Sequence, residues 1–376
     1  MNAATSDVPV PTSLNGLLKT IKKSKYILTP IYEAISNSLE AIHQQVNSQA
    51  VAPKIKVILN FSGLIEESKE LENIVISDNG SGFTDESFGR FSKLLDDSKG
   101  YNNRGSGRIQ ILHRYERFEV ESYFVRNGFN YKRNFSCDAK RFIYDLDEQS
   151  DVGNCLIGSV LTLKVKSEKP KENLYFDNLS ILEFSNEIKN HFMLRMYLDS
   201  VKKYTVPEIE IEFTKNGITT DSYKITKSSV HSPFSKGVVE IPFQTFDTKG
   251  DKVEMVDVDD KKEILNWANF KISSSDLDKN GMFLCSKDIP VESLKFDFLN
   301  KTEVVDGYRY LTVFYGDLLD QPENVSHSVD RFTFPKSSDV VDDINAGNLL
   351  LEEGERYLFI DKIYNEIEQV ESPQVH

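Results

Sequence analysis

The sequence predicts a mixed α/β fold in two domains. The chain has 376 residues, of which 39% are hydrophobic, so it can bury more than one core. Segments rich in Val, Ile, Phe and Tyr alternate with the period of two that is typical of strands, and longer segments repeat their apolar residues at helical spacing. Because both patterns occur along the chain, we expect helices layered on sheets.

Composition changes predict the domain limits. Residues 1–16 are rich in Pro, Ser and Asn and are expected to form a flexible arm. We expect a first α/β domain at 17–205, a second at 206–340 and a C-terminal helix at 341–376. The acidic segment DVDDKKE at 257–263 is expected to be a surface loop of the second domain.

The elements of the first domain follow from the same patterns. Strands are predicted at PKIKVILNFSG and ENIVISDNGSGF, followed by a helix at DESFGRFSKLLDDS and a glycine-rich loop that leads into the helix IQILHRY. Four further strands are predicted in RFEVESYFV, FNYKRNFSC, KRFIYDLDE and GSVLTLKVK. A long helix in residues 178–203 ends the first domain, and a hairpin that turns at Asn216-Gly217 begins the second.

Charge and residue usage exclude several classes of function. The balance of 45 basic and 59 acidic residues gives a net charge of −14, so nucleic acid or an acidic membrane would need a local basic patch. The sequence has neither an apolar run of about 18 residues nor a signal-peptide pattern, and we expect a cytoplasmic protein without a membrane span. The three cysteines form no CxxC pair and the six histidines show no zinc-site spacing, so we expect reduced cysteines and no transition metal.

Three polar clusters stand out in the first domain. In YEAISNSLEAI, Glu33 and Asn37 are four residues apart and therefore face one direction from a helix. An amide oxygen suits Mg²⁺ bound to phosphate, and a carboxylate one turn earlier could activate a water molecule. Asp78 ends an apolar strand and is followed by Gly80 and Gly82, which would let the backbone approach a base whose amine bonds the carboxylate.

The third cluster is the glycine-rich segment NNRGSGR. Its backbone N–H groups at the start of a helix are suited to phosphate. The residues concerned are Arg104, Gly105, Ser106, Gly107 and Arg108. The sequence contains no GxxxxGK[ST] motif, so a P-loop is not expected. Taken singly, each cluster is commonly a surface pair or a turn, and it is their combination that indicates a nucleotide site.

These clusters resemble the boxes of the GHKL ATPases, the superfamily of gyrase B, MutL, the large heat-shock chaperone, MORC proteins and histidine kinases. EAISNSLEA resembles the ExxxNSxDA box, SDNGSGF the DxGxG box, RGSGR the glycine-rich lid, and CLIGSVLTLKV the closing strand. Glu40 stands where the family has Asp, and Ser159 where it has Thr. The resemblance covers about residues 15–170. It implies a Bergerat-fold α/β sandwich with a mixed, mostly antiparallel sheet, followed by a transducer-like α/β domain.

The resemblance also implies roles for individual residues. Glu33 would be the general base, Asn37 the Mg²⁺ ligand and Asp78 the residue that reads adenine, with Gly158 and Ser159 behind the base. Further contacts to ATP would come from Glu40, Gly80, Gly82, Phe83 and the lid. A basic residue of the second domain would reach the γ-phosphate; the candidates are Lys301, Arg309, Arg331 and Lys336, of which we favour Lys336.

A water-activating acid at Glu33 favours a hydrolase over a histidine kinase, which transfers phosphate to a protein histidine. We therefore expect a Mg²⁺-dependent ATPase that acts as an ATP-gated dimeric clamp or switch. The alternative is a nucleotide-responsive scaffold, in DNA maintenance or antiphage defence, with negligible turnover. Protein partners, nucleic-acid binding and the completeness of the chain are left open by the sequence.

Overall fold

The computed structural model describes residues 14–45, 51–63, 69–93, 107–166, 174–249, 252–286, 289–295, 299–321, 324–326, 331–345 and 355–371. The fold is α+β, with two mostly antiparallel sheets and several helices. The chain divides into two compact units, with the division after Val230. No helix of the described ranges is long and apolar enough to cross a membrane.

The first unit carries the elements of the three polar clusters. Its described helices are α1 (Leu14–Thr20), α2 (Thr29–Gln44), α3 (Asp85–Ser92), α4 (Gly107–Arg114), α5 (Leu174–Asp177) and α6 (Ile181–Val201). Its described strands are β1 (Lys54–Ser62), β2 (Glu70–Asp78), β3 (Tyr115–Arg126), β4 (Phe129–Asp138), β5 (Tyr144–Ser150), β6 (Gly158–Val165), β7 (Glu208–Lys215) and β8 (Ile218–Ile225). Residues 1–13, most of the expected arm, lie outside the described part of the chain.

The eight strands form one sheet in the order β5-β4-β3-β6-β2-β1-β7-β8. All neighbours are antiparallel except β1 and β7, which run parallel. β2, β6 and β3 are therefore adjacent at the centre, although other elements separate them in the sequence. This order brings the end of β2, which carries Asp78, beside the start of β6.

Alternation along β1 shows why the sheet has one apolar face. Ile55, Val57, Leu59 and Phe61 are buried in the core with α2 and α6, while the residues between them are partly exposed. On the opposite face Lys56 pairs with Glu212 of β7 at 2.7 Å. The helices thus cover one face of the sheet in a two-layer arrangement.

Helix α2 is held against the sheet by its apolar stripe. Pro30 lies in its first turn, where its fixed φ fits a helix and its missing N–H is not needed. Ile31, Ile35, Leu39 and Ile42 recur at helical spacing and are buried. Because this stripe fixes the rotation of the helix, it also fixes the direction in which the polar residues between its members point.

The second unit is built on a five-stranded sheet. Its described strands are β9 (Ser235–Lys249), β10 (Lys252–Ser273), β11 (Gly281–Ser286), β12 (Ile289–Leu294) and β13 (Tyr308–Tyr315), in the order β12-β11-β13-β10-β9, together with a small pair β14 (Val325–Ser326) and β15 (Arg331–Phe332). Its helices are α7 (Asp317–Asp320), α8 (Ser337–Asn345) and α9 (Ile360–Glu371). Ile363 and Ile367 of α9 pack in one core with Trp267.

Three expectations differ from the structure. The hairpin β7–β8 was expected in the second domain, but β7 pairs with β1, so the chain divides after Val230 and not near residue 205. The predicted acidic loop at 257–263 is part of β10, where the register shifts between Asp257 and Lys262 and keeps the charges at the surface. The expected single C-terminal helix is interrupted, since residues 355–359 are not helical and Tyr357 makes a β-bridge with Gln244 before α9 begins at Ile360.

The first prediction concerns Gly158, which begins β6. Its φ is +149°, and a Cβ there would overlap the carbonyl oxygen of Asp78. We expect Gly158→Ala to lower the free energy of unfolding by roughly 2–4 kcal/mol, measured by chemical denaturation. Gly153 has φ +69° but no neighbour within 4 Å of such a Cβ. Gly153→Ala should therefore cost only about 1 kcal/mol; equal losses would contradict the role of the contact with Asp78.

Candidate functional site

The first unit contains a cavity of about 180 Å³ between α2, the loop after β2, the start of α4 and the centre of the sheet. Its apolar lining comes from strands β2, β3 and β6 and from helices α3 and α4: Ile76, Phe118, Val120, Leu161, Phe91 and Ile111. Polar side chains surround this apolar surface. An apolar cavity with a few convergent polar groups is the usual form of a small-molecule site.

Most of the predicted site residues line this one cavity. They are Glu33, Asn37, Glu40, Asp78, Gly82, Phe83, Gly107, Arg108 and Ser159. They come from α2, from β2 and the loop after it, from the start of α4 and from β6. The three polar clusters, which span more than 70 positions of the sequence, therefore converge in the structure.

The Asp78 carboxylate is held by several hydrogen bonds. Ser38 Oγ on α2 donates to Asp78 Oδ2 at 3.0 Å, and the Gly80 backbone N–H donates to Oδ1 at 2.9 Å. The Ser159 backbone also hydrogen-bonds the carboxylate. Burial nevertheless dominates and raises the pKa of Asp78 to about 6. A carboxylate with four acceptor positions still has capacity for a donor in the cavity.

The strand register places two cross-strand rows beneath the cavity. Asp78 pairs with Ser159, and Ser159 pairs with Ser122 of β3, which makes a polar row. Two residues along, Ile76 and Leu161 form an apolar row with Val120. Side chains two residues apart share a face of the sheet. The polar row therefore lies next to the apolar row on one face, an arrangement suited to a flat ring that carries an amine on its edge.

Ser122 is a residue that the sequence reasoning missed. It is fully buried, accepts the Phe83 N–H at 2.7 Å and donates to the Gly158 carbonyl at 3.2 Å. Ser159 Oγ donates to Ser122 Oγ at 3.2 Å. The Gly82 backbone passes so close to β3 that a Cβ would overlap the Tyr123 carbonyl oxygen, and its φ is +70°. The loop after β2 is thus fixed on β3.

Helix α2 presents one polar line to the cavity. Glu33, Asn37, Glu40 and Gln44 recur at intervals of three or four residues and all line it. A Cβ built on Gly107, the first residue of α4, would lie 2.5 Å from Glu33 Oε2. The absence of a side chain at Gly107 therefore lets the Glu33 carboxylate lie against the N-terminus of α4.

Two arginines form part of the cavity wall. Arg108 Nη2 donates to the Lys93 carbonyl at 2.7 Å, and its guanidinium lies 4.9 Å from the centre of the Phe91 ring. Arg90, which the sequence reasoning did not select, pairs with Glu86 at 2.7 Å. Both arginines thus line the same cavity as the α2 carboxylates.

Five predicted residues are not placed on the cavity. Gly80 lies beside it, and its Cα packs against Ala41 of α2, where a Cβ would be 2.6 Å from the Ala41 carbonyl carbon. Arg104, Gly105 and Ser106 lie outside the described residues. Lys336 is an exposed residue of the second unit, immediately before α8, and its role as a γ-phosphate contact stays a prediction.

No protein family and no curated protein matches the chain. Among solved structures, it is similar to one described as the crystal structure of the N-terminal domain of a DNA repair protein, with 16% sequence identity and a TM-score of 0.41 over 74% of this chain and 77% of that chain. A similarity of this size assigns neither a family nor a function.

A second prediction follows from the raised pKa of Asp78. The usual pKa of an aspartate is 3.8. Between this pH and about pH 6, Asp78 keeps its proton in the folded chain and loses it in the unfolded chain. This group therefore contributes a stability that is complete below pH 4 and is lost as the pH rises to about 6. The change is roughly 3 kcal/mol, and Asp78→Asn should remove it from the pH profile of the free energy of unfolding.

Asp138→Asn is the matched control for this measurement. The hydrogen bonds from the Arg141 backbone and side chain hold the pKa of Asp138 below its usual value despite partial burial. Its substitution should leave the loss of stability between pH 4 and 6 in place. A profile that Asp78→Asn does not alter would contradict the raised pKa.

Proposed function

We propose that the first unit binds ATP with Mg²⁺ and hydrolyses it, as a GHKL-type ATPase of the Bergerat fold. The observation that carries this proposal is the convergence of Glu33, Asn37 and Asp78 on one cavity with an apolar floor. A buried carboxylate beside an apolar surface, together with a carboxylate and an amide one turn apart on α2, matches a molecule with an amine-bearing base and a metal-bound phosphate chain.

Asp78 would contact the base. With a pKa of about 6 the carboxylate is mostly ionised at pH 7, so it would accept a hydrogen bond from the exocyclic amine of adenine. Guanine presents a carbonyl oxygen at the corresponding position of its ring, and two facing acceptors repel. Ile76, Val120 and Leu161 would contact the face of the base.

Glu33 and Asn37 of α2 would face the phosphates. The Asn37 side chain is exposed to the cavity, and its amide oxygen is a ligand type that Mg²⁺ accepts alongside phosphate and water. Bound Mg²⁺ would neutralise phosphate charge that builds up during transfer. Glu33, against the N-terminus of α4, would orient the attacking water and take its proton.

Our third prediction tests Glu33. Glu33→Ala should retain ATP binding in calorimetry but reduce phosphate release by at least roughly 100-fold, because the water loses its base. Glu72→Ala, at an exposed position near the start of β2 that does not line the cavity, is the control and should alter neither quantity. Unchanged turnover in Glu33→Ala would remove Glu33 from the role of base. If the wild-type chain binds ATP without turnover beyond that of Glu33→Ala, the nucleotide-responsive scaffold replaces the ATPase.

We further propose that ATP gates a homodimer, as a clamp, in the cytoplasm. Glu33 and Gly107 bring the α2 line of polar residues against α4, so a ligand on α2 also contacts the element that follows the glycine-rich segment. A segment that orders on a phosphate can expose a surface for association.

The fourth prediction concerns this dimer. With Mg²⁺ and a nonhydrolysable ATP analogue, light scattering after size-exclusion chromatography should give about twice the monomer mass, and without the nucleotide a single-chain mass. Asp78→Asn, which weakens binding of the base, should require a higher concentration of the analogue for the same shift. A mass that is independent of nucleotide would contradict the clamp and leave the ATPase proposal intact.

A further inference from the structure

Arg133 of β4 is a buried arginine that lies behind the cavity wall. Only 3% of its surface is exposed. A buried guanidinium is costly unless its donors are satisfied, so the groups that satisfy it indicate what it holds in place. It does not line the cavity, and the proposed chemistry does not use it.

All five N–H donors of Arg133 have acceptors. Nη1 donates to the carbonyl oxygens of Phe83 at 2.7 Å and Thr84 at 3.3 Å. Nη2 donates to Asp85 Oδ1 at 2.7 Å and to Glu148 Oε2 at 2.6 Å, and Nε donates to the same Glu148 oxygen at 3.0 Å. One side chain thus connects β5 with three consecutive residues that follow the Asp78 motif.

Aromatic rings fix the plane of the guanidinium. Its central carbon lies 4.4 Å from the centre of the Phe88 ring and 4.6 Å from that of Phe124. Arg133 therefore cannot rotate without losing both ring contacts and its hydrogen bonds. A lysine in its place would keep the charge but not the planar fork that reaches two carbonyls and two carboxylates together.

These bonds also fix the backbone of Phe83. Its N–H is bound by Ser122 and its carbonyl by Arg133, so both polar atoms of its backbone are fixed from behind the cavity. Phe83 lines the cavity, as does Gly82 before it, and only four residues separate Phe83 from Asp78. A shift of Phe83 would therefore move the wall of the cavity next to the carboxylate.

We propose that Arg133 is a positioning residue of the nucleotide site, which acts through the Phe83 and Thr84 carbonyls to hold the wall that contacts the base. This inference rests on the proposed function, since it assigns the residue to the binding of ATP. Among the described residues, the hydrogen bonds and ring contacts of Arg133 include none to α2, so it governs affinity for nucleotide and not the activation of water.

Arg126 of β3 provides a matched control. It pairs with the same two carboxylates, donating to Asp85 and to Glu148 Oε1 at 2.6 Å, and it lies over the Tyr131 ring at 4.4 Å. In the described parts of the chain, its hydrogen bonds go to these carboxylates and to no backbone carbonyl. The two arginines therefore share their ion pairs and differ in the bonds to Phe83 and Thr84.

The experiment compares Arg133→Lys with Arg126→Lys and the wild type by calorimetry with Mg²⁺ and a nonhydrolysable ATP analogue, and by steady-state kinetics. Arg133→Lys should raise Kd and KM roughly tenfold and leave kcat within about twofold. Arg126→Lys should leave Kd within about twofold. Circular dichroism confirms that each variant is folded at the temperature of measurement.

The outcomes separate the positioning role of Arg133 from the ATPase proposal. A folded Arg133→Lys with wild-type Kd overturns the positioning role and leaves the ATPase proposal standing. Equal losses of affinity in both variants also overturn it, because they would reflect the shared ion pairs. A wild-type chain that binds no ATP overturns both proposals.

If Arg133→Lys does not fold, Phe88→Leu loosens Arg133 without touching the shared ion pairs, since the Phe88 ring packs on Arg133, whereas the described ring contacts of Arg126 are with Phe124 and Tyr131. Amide hydrogen exchange in the peptide that contains Phe83 should then be faster in this variant than in Arg126→Lys. Its Kd for the ATP analogue should also rise more than in that control. Exchange and affinity that match the Arg126→Lys control would overturn the proposal.

Discussion

The burial of the Asp78 carboxylate is the constraint on which the first unit depends. A carboxylate at the end of a central strand is costly to bury, and the fold offsets this cost with donors from separate elements. Ser38 supplies a hydroxyl from α2, and Ser159 supplies its backbone from β6. Because both donors must be in reach, helix and strands are held at fixed distances around the cavity. The group that would read a base is thus also the group that joins the two layers.

The parts of the site that are local in sequence could be predicted. Glu33 and Asn37 share a helix face by spacing alone, and Asp78 stands at the visible end of an apolar strand. The apolar alternation in PKIKVILNFSG likewise predicted strand β1, whose apolar residues are the buried ones. In each case neighbours along the chain carry the information, so no knowledge of the tertiary fold is needed.

Contacts that depend on strand register could not be predicted. Ser122 and Arg133 look like ordinary strand residues, and they meet the Phe83 segment only because β3 lies beside β6 and β4 beside β3. The same limitation displaced the domain boundary, since a hairpin with strong local pattern gives no indication of the sheet that it joins. The acidic stretch of β10 shows the converse, because the pairs that Asp257 and Lys262 make with β9 on its two sides keep residues of weak strand tendency within one strand.

The parallel pairing of β1 with β7 has a consequence for how this chain is synthesised. Lys54 pairs with Glu208, and the register continues to Phe61 and Lys215. During synthesis β1 therefore leaves the ribosome long before β7. Until β7 is made, the backbone N–H and C=O groups on that side of β1 are unpaired and can pair with another chain. The polar residues Lys54, Lys56 and Asn60 of β1 make such intermolecular pairing less favourable before β7 is made. A recombinant fragment that stopped at residue 205 would carry this open border permanently, whereas one that continues through Ile225 closes it.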